Sequence, residues 1–86
     1  MHPAERGERI ATLWRLAGDD AVISCLVYRL SNGFQLCVEL PTVTIVRERF
    51  VLEPRVLARA EALRESLKRR GWREAPDGSD GNPRFA

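Results

Sequence analysis

Chemically reactive side chains are scarce in this 86-residue chain, which has one histidine and two cysteines. His2 stands in the polar opening stretch "MHPAERGE", too loosely held to sit within hydrogen-bond reach of a nucleophile. Cys25 and Cys37 form no Cys-x-x-Cys pair, and two thiols fall short of the four ligands of a closed zinc site. They are also too few for a disulfide framework, so both read as small buried hydrophobes. No glycine-rich loop opens a helix, which removes the usual phosphate cradle. Asp19 and Asp20 are adjacent, but turn chemistry accounts for them in "GDD". The chain is therefore read as non-catalytic, with no metal and no cofactor.

Long apolar runs are missing too. Nothing approaches the roughly 20 residues of a membrane span, and the N-terminus lacks the apolar core of a signal peptide. A reduced protein of the cytoplasm, with no membrane partner, is the expectation. The two ends, residues 1–9 and 74–86, have little to bury and read as flexible. That leaves one domain over residues 10–73. A domain this small hides only about 60% of the surface its unfolded chain exposes, so help from a second copy is expected.

What is present is strand-like for the first half. "IATLWRLA", "AVISCLVYRL", "FQLCVEL" and "VTIVRERFVL" are rich in β-branched and aromatic residues and are separated by "GDD", "SNG" and Pro41-Thr42. The "SNG" turn allows two registers. A two-residue Asn32-Gly33 loop pairs Ser31 with Phe34, and a three-residue loop with Gly33 left-handed pairs Leu30 with Phe34. The second is preferred because it gathers Leu26, Tyr28 and Leu30 with Phe34, Leu36, Val38 and Leu40. Ile23, Cys25, Val27 and Arg29 then share the other face with Gln35, Cys37 and Glu39, and the two thiols become diagonal neighbours. A slip of one residue would turn one strand over.

The second half reads as one helix over residues 54–70. Pro54 suits a first helical position, and Val56, Ala60, Leu63 and Leu67 make a single apolar stripe. Seven basic residues between Arg55 and Arg73 face only Glu61 and Glu65, and all but one of the chain's fourteen basic residues are Arg. "KRRGW" reads as a helix stop: cations gather at the negative carbonyl end, Gly71 ends the helix and Trp72 folds back on Leu67. The same cations could grip phosphate.

The fold class expected is α+β: a four-stranded antiparallel β-meander with one C-terminal α-helix on one face, in two layers. In element order alone it resembles small DNA-binding modules of the integrase-arm type, which read the major groove through an Arg-rich sheet face. Here the helix-free face is expected to carry Ile23, Cys25 and Val27 with Arg29 alone, which departs from that pattern. Apolar residues on an uncovered face point instead to a protein-interaction module that forms a homodimer through Ile23, Cys25, Val27, Cys37, Val43 and Ile45. The alternative is nucleic-acid binding through Arg55, Arg59, Lys68 and Arg69 of the basic helix.

Overall fold

The computed structural model describes residues 7–75. The chain runs through β1 (Glu8–Ala17), β2 (Val22–Leu30), β3 (Gly33–Leu40), β4 (Val43–Phe50), α1 (Glu53–Arg69) and a two-residue β5 (Arg73–Glu74). All pairings are antiparallel, and the sheet order is β4-β3-β2-β1-β5. The four-stranded meander and the packed C-terminal helix are as the sequence predicts. The domain is longer at both ends than residues 10–73: Glu8 and Arg9 pair with β2, and Glu74 pairs with β1. The flexible ends expected at residues 1–6 and 76–86 lie outside the described residues.

The hairpin register differs from both expectations. Leu30 pairs with Gly33 across a loop of Ser31 and Asn32, so Arg29 lies opposite Phe34, Val27 opposite Leu36 and Cys25 opposite Val38. Relative to the preferred register, β2 is turned over. The reason lies outside the hairpin. Gly33 has φ +148°, and a Cβ built on it would come within 2.3 Å of the Phe50 carbonyl oxygen. The glycine serves the close approach of β4 to the start of β3. It is not the left-handed residue of a turn.

This register sends Ile23, Cys25 and Val27 under the helix. They join Trp14, Leu16, Leu36, Val38, Val56 and Ala60 in one buried cluster, with Phe34, Val46, Phe50, Leu63 and Leu67 around it. Two bulges in β1, where Ile10 and Leu13 are the unpaired residues, keep Trp14 and Leu16 directed into this core. The Trp14 indole N–H donates to the Ala60 carbonyl at 2.9 Å. That bond pins the middle of α1 over β1 and satisfies a polar atom that burial would otherwise penalise.

The helix starts without a side-chain cap, with Leu52 as the N-cap residue, Pro54 in the first turn and Glu53 against the positive end. Its end matches the sequence reading. The Gly71 N–H donates to the Lys68 carbonyl and the Trp72 N–H to the Leu67 carbonyl, with Gly71 at φ +110°. This is the two-bond left-handed stop, and Trp72 and Leu67 both pack against the core. Trp72 also lies against Gly18, where an added Cβ would meet the indole at 2.8 Å. The chain then turns back far enough for Arg73 and Glu74 to pair with β1.

Two of the three positive-φ glycines, Gly33 and Gly71, separate by environment. A Cβ at Gly71 meets nothing within 4 Å, so Gly71→Ala carries only the left-handed penalty, about 1–2 kcal/mol. Gly33→Ala adds a backbone collision and is expected to cost roughly 3 kcal/mol or more. Urea denaturation of the two variants checks the order, and equal losses would contradict the role given to Gly33.

Candidate nucleic-acid interface

The register also decides what lies on the sheet face away from the helix. Reading across the four strands, three transverse rows appear there. One is Arg9–Tyr28–Gln35–Arg49, the next Thr12–Leu26–Cys37–Arg47, and the third Arg15–Ser24–Glu39–Thr44. Arg9, Arg15, Arg47 and Arg49 are all exposed, and they sit on β1 and β4, the first and last strands of the meander. Three strand spacings separate those strands, about 14 Å. Leu26, Leu30 and Cys37 are buried at the centre, each 6% exposed or less. Gly7 closes part of this surface, since a Cβ there would lie 2.9 Å from a Leu30 methyl carbon. Arg9, Thr12, Arg15, Ser24, Leu26 and Glu39 line part of a broad open depression whose walls also include Leu57, Ala60, Glu61, Arg64 and Glu74.

The electrostatics of the two sides differ. On the helix side Arg59, Arg64 and Lys68 are paired with carboxylates, while no ion pair among the described residues involves Arg55 or Arg69. Arg59 donates to both carboxylate oxygens of Glu48, at 2.9 and 3.2 Å. Arg64 bridges Glu61 and Glu74, and Lys68 reaches Glu74 at 3.3 Å. Burial pushes the Glu74 carboxyl up, but the hydrogen bonds and charges of Arg64 and Lys68 outweigh it and hold the group below the usual carboxylate range. On the open face no ion pair among the described residues involves Arg9, Arg15, Arg47 or Arg49. The one carboxylate there, Glu39, accepts from the Thr44 hydroxyl at a long 3.5 Å. Among the described residues this face carries four guanidinium groups, one of them, on Arg47, hydrogen-bonded to Cys37, against the single carboxylate of Glu39, a positive balance.

Tyr28 lies within electrostatic reach of Glu39, Cys37 and Arg9, and burial first, then Glu39, raises its pKa. Its hydroxyl therefore stays protonated at neutral pH. Burial also raises Cys37, against an opposing hydrogen bond with Arg47. Cys25, under the helix, is pushed up to about 12 by burial and then by the nearby Cys37. Neither thiol has the lowered pKa of a reactive cysteine. The two lie on opposite faces of the sheet, on the adjacent positions 25 and 37 of paired strands, and are not the diagonal neighbours expected from sequence. Among the described residues no group of three His, Cys, Asp or Glu side chains could hold a metal ion, and no helix is long and apolar enough to cross a membrane.

The residues singled out from sequence divide accordingly. Ile23, Cys25 and Val27 belong to the core and cannot form an interface on the open face. Cys37 is on that face but buried. Val43 and Ile45 remain, 51% and 48% exposed on edge strand β4. Two side chains fall far short of the roughly 800 Å² per partner in a standard interface, so the apolar patch that suggested a dimer across the open face is missing. Among the helix candidates, Arg59 is paired with Glu48 and Lys68 with Glu74, which leaves Arg55 and Arg69 exposed and about 21 Å apart along the helix. The transverse rows escaped sequence reasoning because they depend on β2–β3 register. The free arginines of β1 and β4 were visible as letters, but their shared face was not. Compared with protein-family models, with curated proteins and with solved structures, the chain matches none.

The thiols provide a direct check on this placement. Both are expected to react with an aromatic disulfide reagent at pH 8 at least roughly 100-fold more slowly in the folded protein than in urea. Cys25 should be the slower of the two. Reaction of either thiol at its unfolded rate would contradict the burial described.

Proposed function

We propose that this chain binds double-stranded DNA through the helix-free face of its sheet. The observation that carries the reading is the gathering of Arg9, Arg15, Arg47 and Arg49 on one sheet face. Three helix cations, Arg59, Arg64 and Lys68, are bound to Glu48, Glu61 and Glu74, and the four arginines of the open face have no carboxylate partner among the described residues. Free cations are the ones that can displace counterions from phosphates.

Geometry supports the same partner. Arg9 and Arg15 stand on β1 and Arg47 and Arg49 on β4, about 14 Å apart. A B-form major groove is about 12 Å wide, with a phosphate backbone along each side. The deep, narrow major groove of an RNA duplex does not admit such a face. Arg is the suitable cation, because its planar fork meets phosphate oxygens in pairs. The helix sits behind the sheet, and its core keeps the four strands in fixed relation. The departure from the integrase-arm pattern expected from sequence disappears in this register, since Ile23, Cys25 and Val27 are no longer on the open face.

Fluorescence anisotropy with a 20-base-pair duplex between low and moderate salt tests the reading. Three or four phosphates neutralised give a log–log slope of roughly −3 to −4. The double variant Arg9→Ala, Arg49→Ala should bind more weakly and lose about 2 from the slope. The double variant Arg55→Ala, Arg69→Ala should leave both unchanged. Binding that is absent at low salt, or lost only with the helix pair, would overturn the proposal.

A further inference from the structure

The three rows of the open face are not equivalent, and their differences point to where sequence would be read. In the second row the two inner residues, Leu26 and Cys37, are buried. In the third row Glu39 places a carboxylate where phosphate would be repelled, and its oxygen is already shared with Thr44. Only the row Arg9–Tyr28–Gln35–Arg49 has a cation at each end and two partly exposed polar side chains between them. Resting on the proposed DNA-binding face, we infer that Gln35 is its specificity-determining residue and selects adenine in the major groove.

Gln35 stands on β3, one of the two central strands, between Tyr28 and Arg49. With Arg9 and Arg49 on the two phosphate walls, a position one strand inward lies over the groove floor. Gln35 is half-buried between its neighbouring strands. Its amide takes no hydrogen-bond partner among the described residues. A free amide carries one acceptor and two donors. That pattern complements the N7 acceptor and N6 donor that adenine shows in the major groove, and no other base offers the same pair. Tyr28, with its hydroxyl protonated, borders the site on the other side. Arg49 is placed to take the phosphate nearest the base that Gln35 reads.

The test compares two duplexes of equal length and charge, one with A·T and one with G·C pairs at the centre. A third has each central adenine N7 replaced by carbon, which leaves the minor groove and the charge intact. Wild type is expected to prefer the A·T duplex by about tenfold and to lose that preference on the N7-replaced duplex. Gln35→Ala should bind the A·T and G·C duplexes equally, with the salt slope of wild type and an unchanged urea midpoint. Equal wild-type affinity for A·T and G·C, or a preference that survives in Gln35→Ala, overturns the inference about Gln35. If binding still depends on Arg9 and Arg49 in that case, the DNA-binding face itself stands. No duplex binding by wild type overturns both.

Discussion

The approach of the Phe50 carbonyl to Gly33 is the constraint from which the rest of the structure follows. Only a residue without a Cβ can sit there. Once Gly33 is committed to that contact, it becomes the first residue of β3, and the loop shrinks to Ser31 and Asn32. Leu30 must then pair with Gly33, and every residue of β2 is assigned to a face. Because the side-chain period of a strand is two, this single step exchanges the apolar set Ile23, Cys25 and Val27 for Ser24, Leu26 and Tyr28 on the open side.

The helix then completes the division. One amphipathic helix covers one side of the sheet, and the Trp14–Ala60 hydrogen bond and the Trp72–Leu67 closure hold it there. The carboxylates Glu48, Glu61 and Glu74 all lie within reach of helix cations. The arginines on the far side are left without them. A pattern of this kind costs stability through repulsion unless anions neutralise it from outside. The proposed DNA binding rests on this second sheet face, where the described arginines stand on β1 and β4.

Much of the fold was legible in the sequence because it rests on local signals. The strands announce themselves by β-branched residues and by turn punctuation. The helix follows from the spacing of Val56, Ala60, Leu63 and Leu67, and "KRRGW" ends it for the reasons its chemistry suggests. The register was not legible. Asn32-Gly33 is a strong local hairpin signal, and the contact that overrides it involves Phe50, remote in sequence. Strand β5 was missed because two charged residues carry no strand pattern, and they pair only because the chain has already reversed at Gly71. The site suffered most from this. Its residues lie on four strands, so a slip of one position dispersed Arg9, Tyr28, Gln35 and Arg49 and placed the core residues Ile23, Cys25 and Val27 in their stead.

Side-chain NMR of the protein titrated with a short duplex tests the central claim most directly, since it reports which face meets DNA at each residue. The account predicts shifts in the guanidinium signals of Arg9, Arg15, Arg47 and Arg49 and in the side-chain amide of Gln35, with the indole signal of Trp14 unmoved beneath the helix. Shifts confined to Arg55, Arg69 and Arg70, or none at all at low salt, would contradict it.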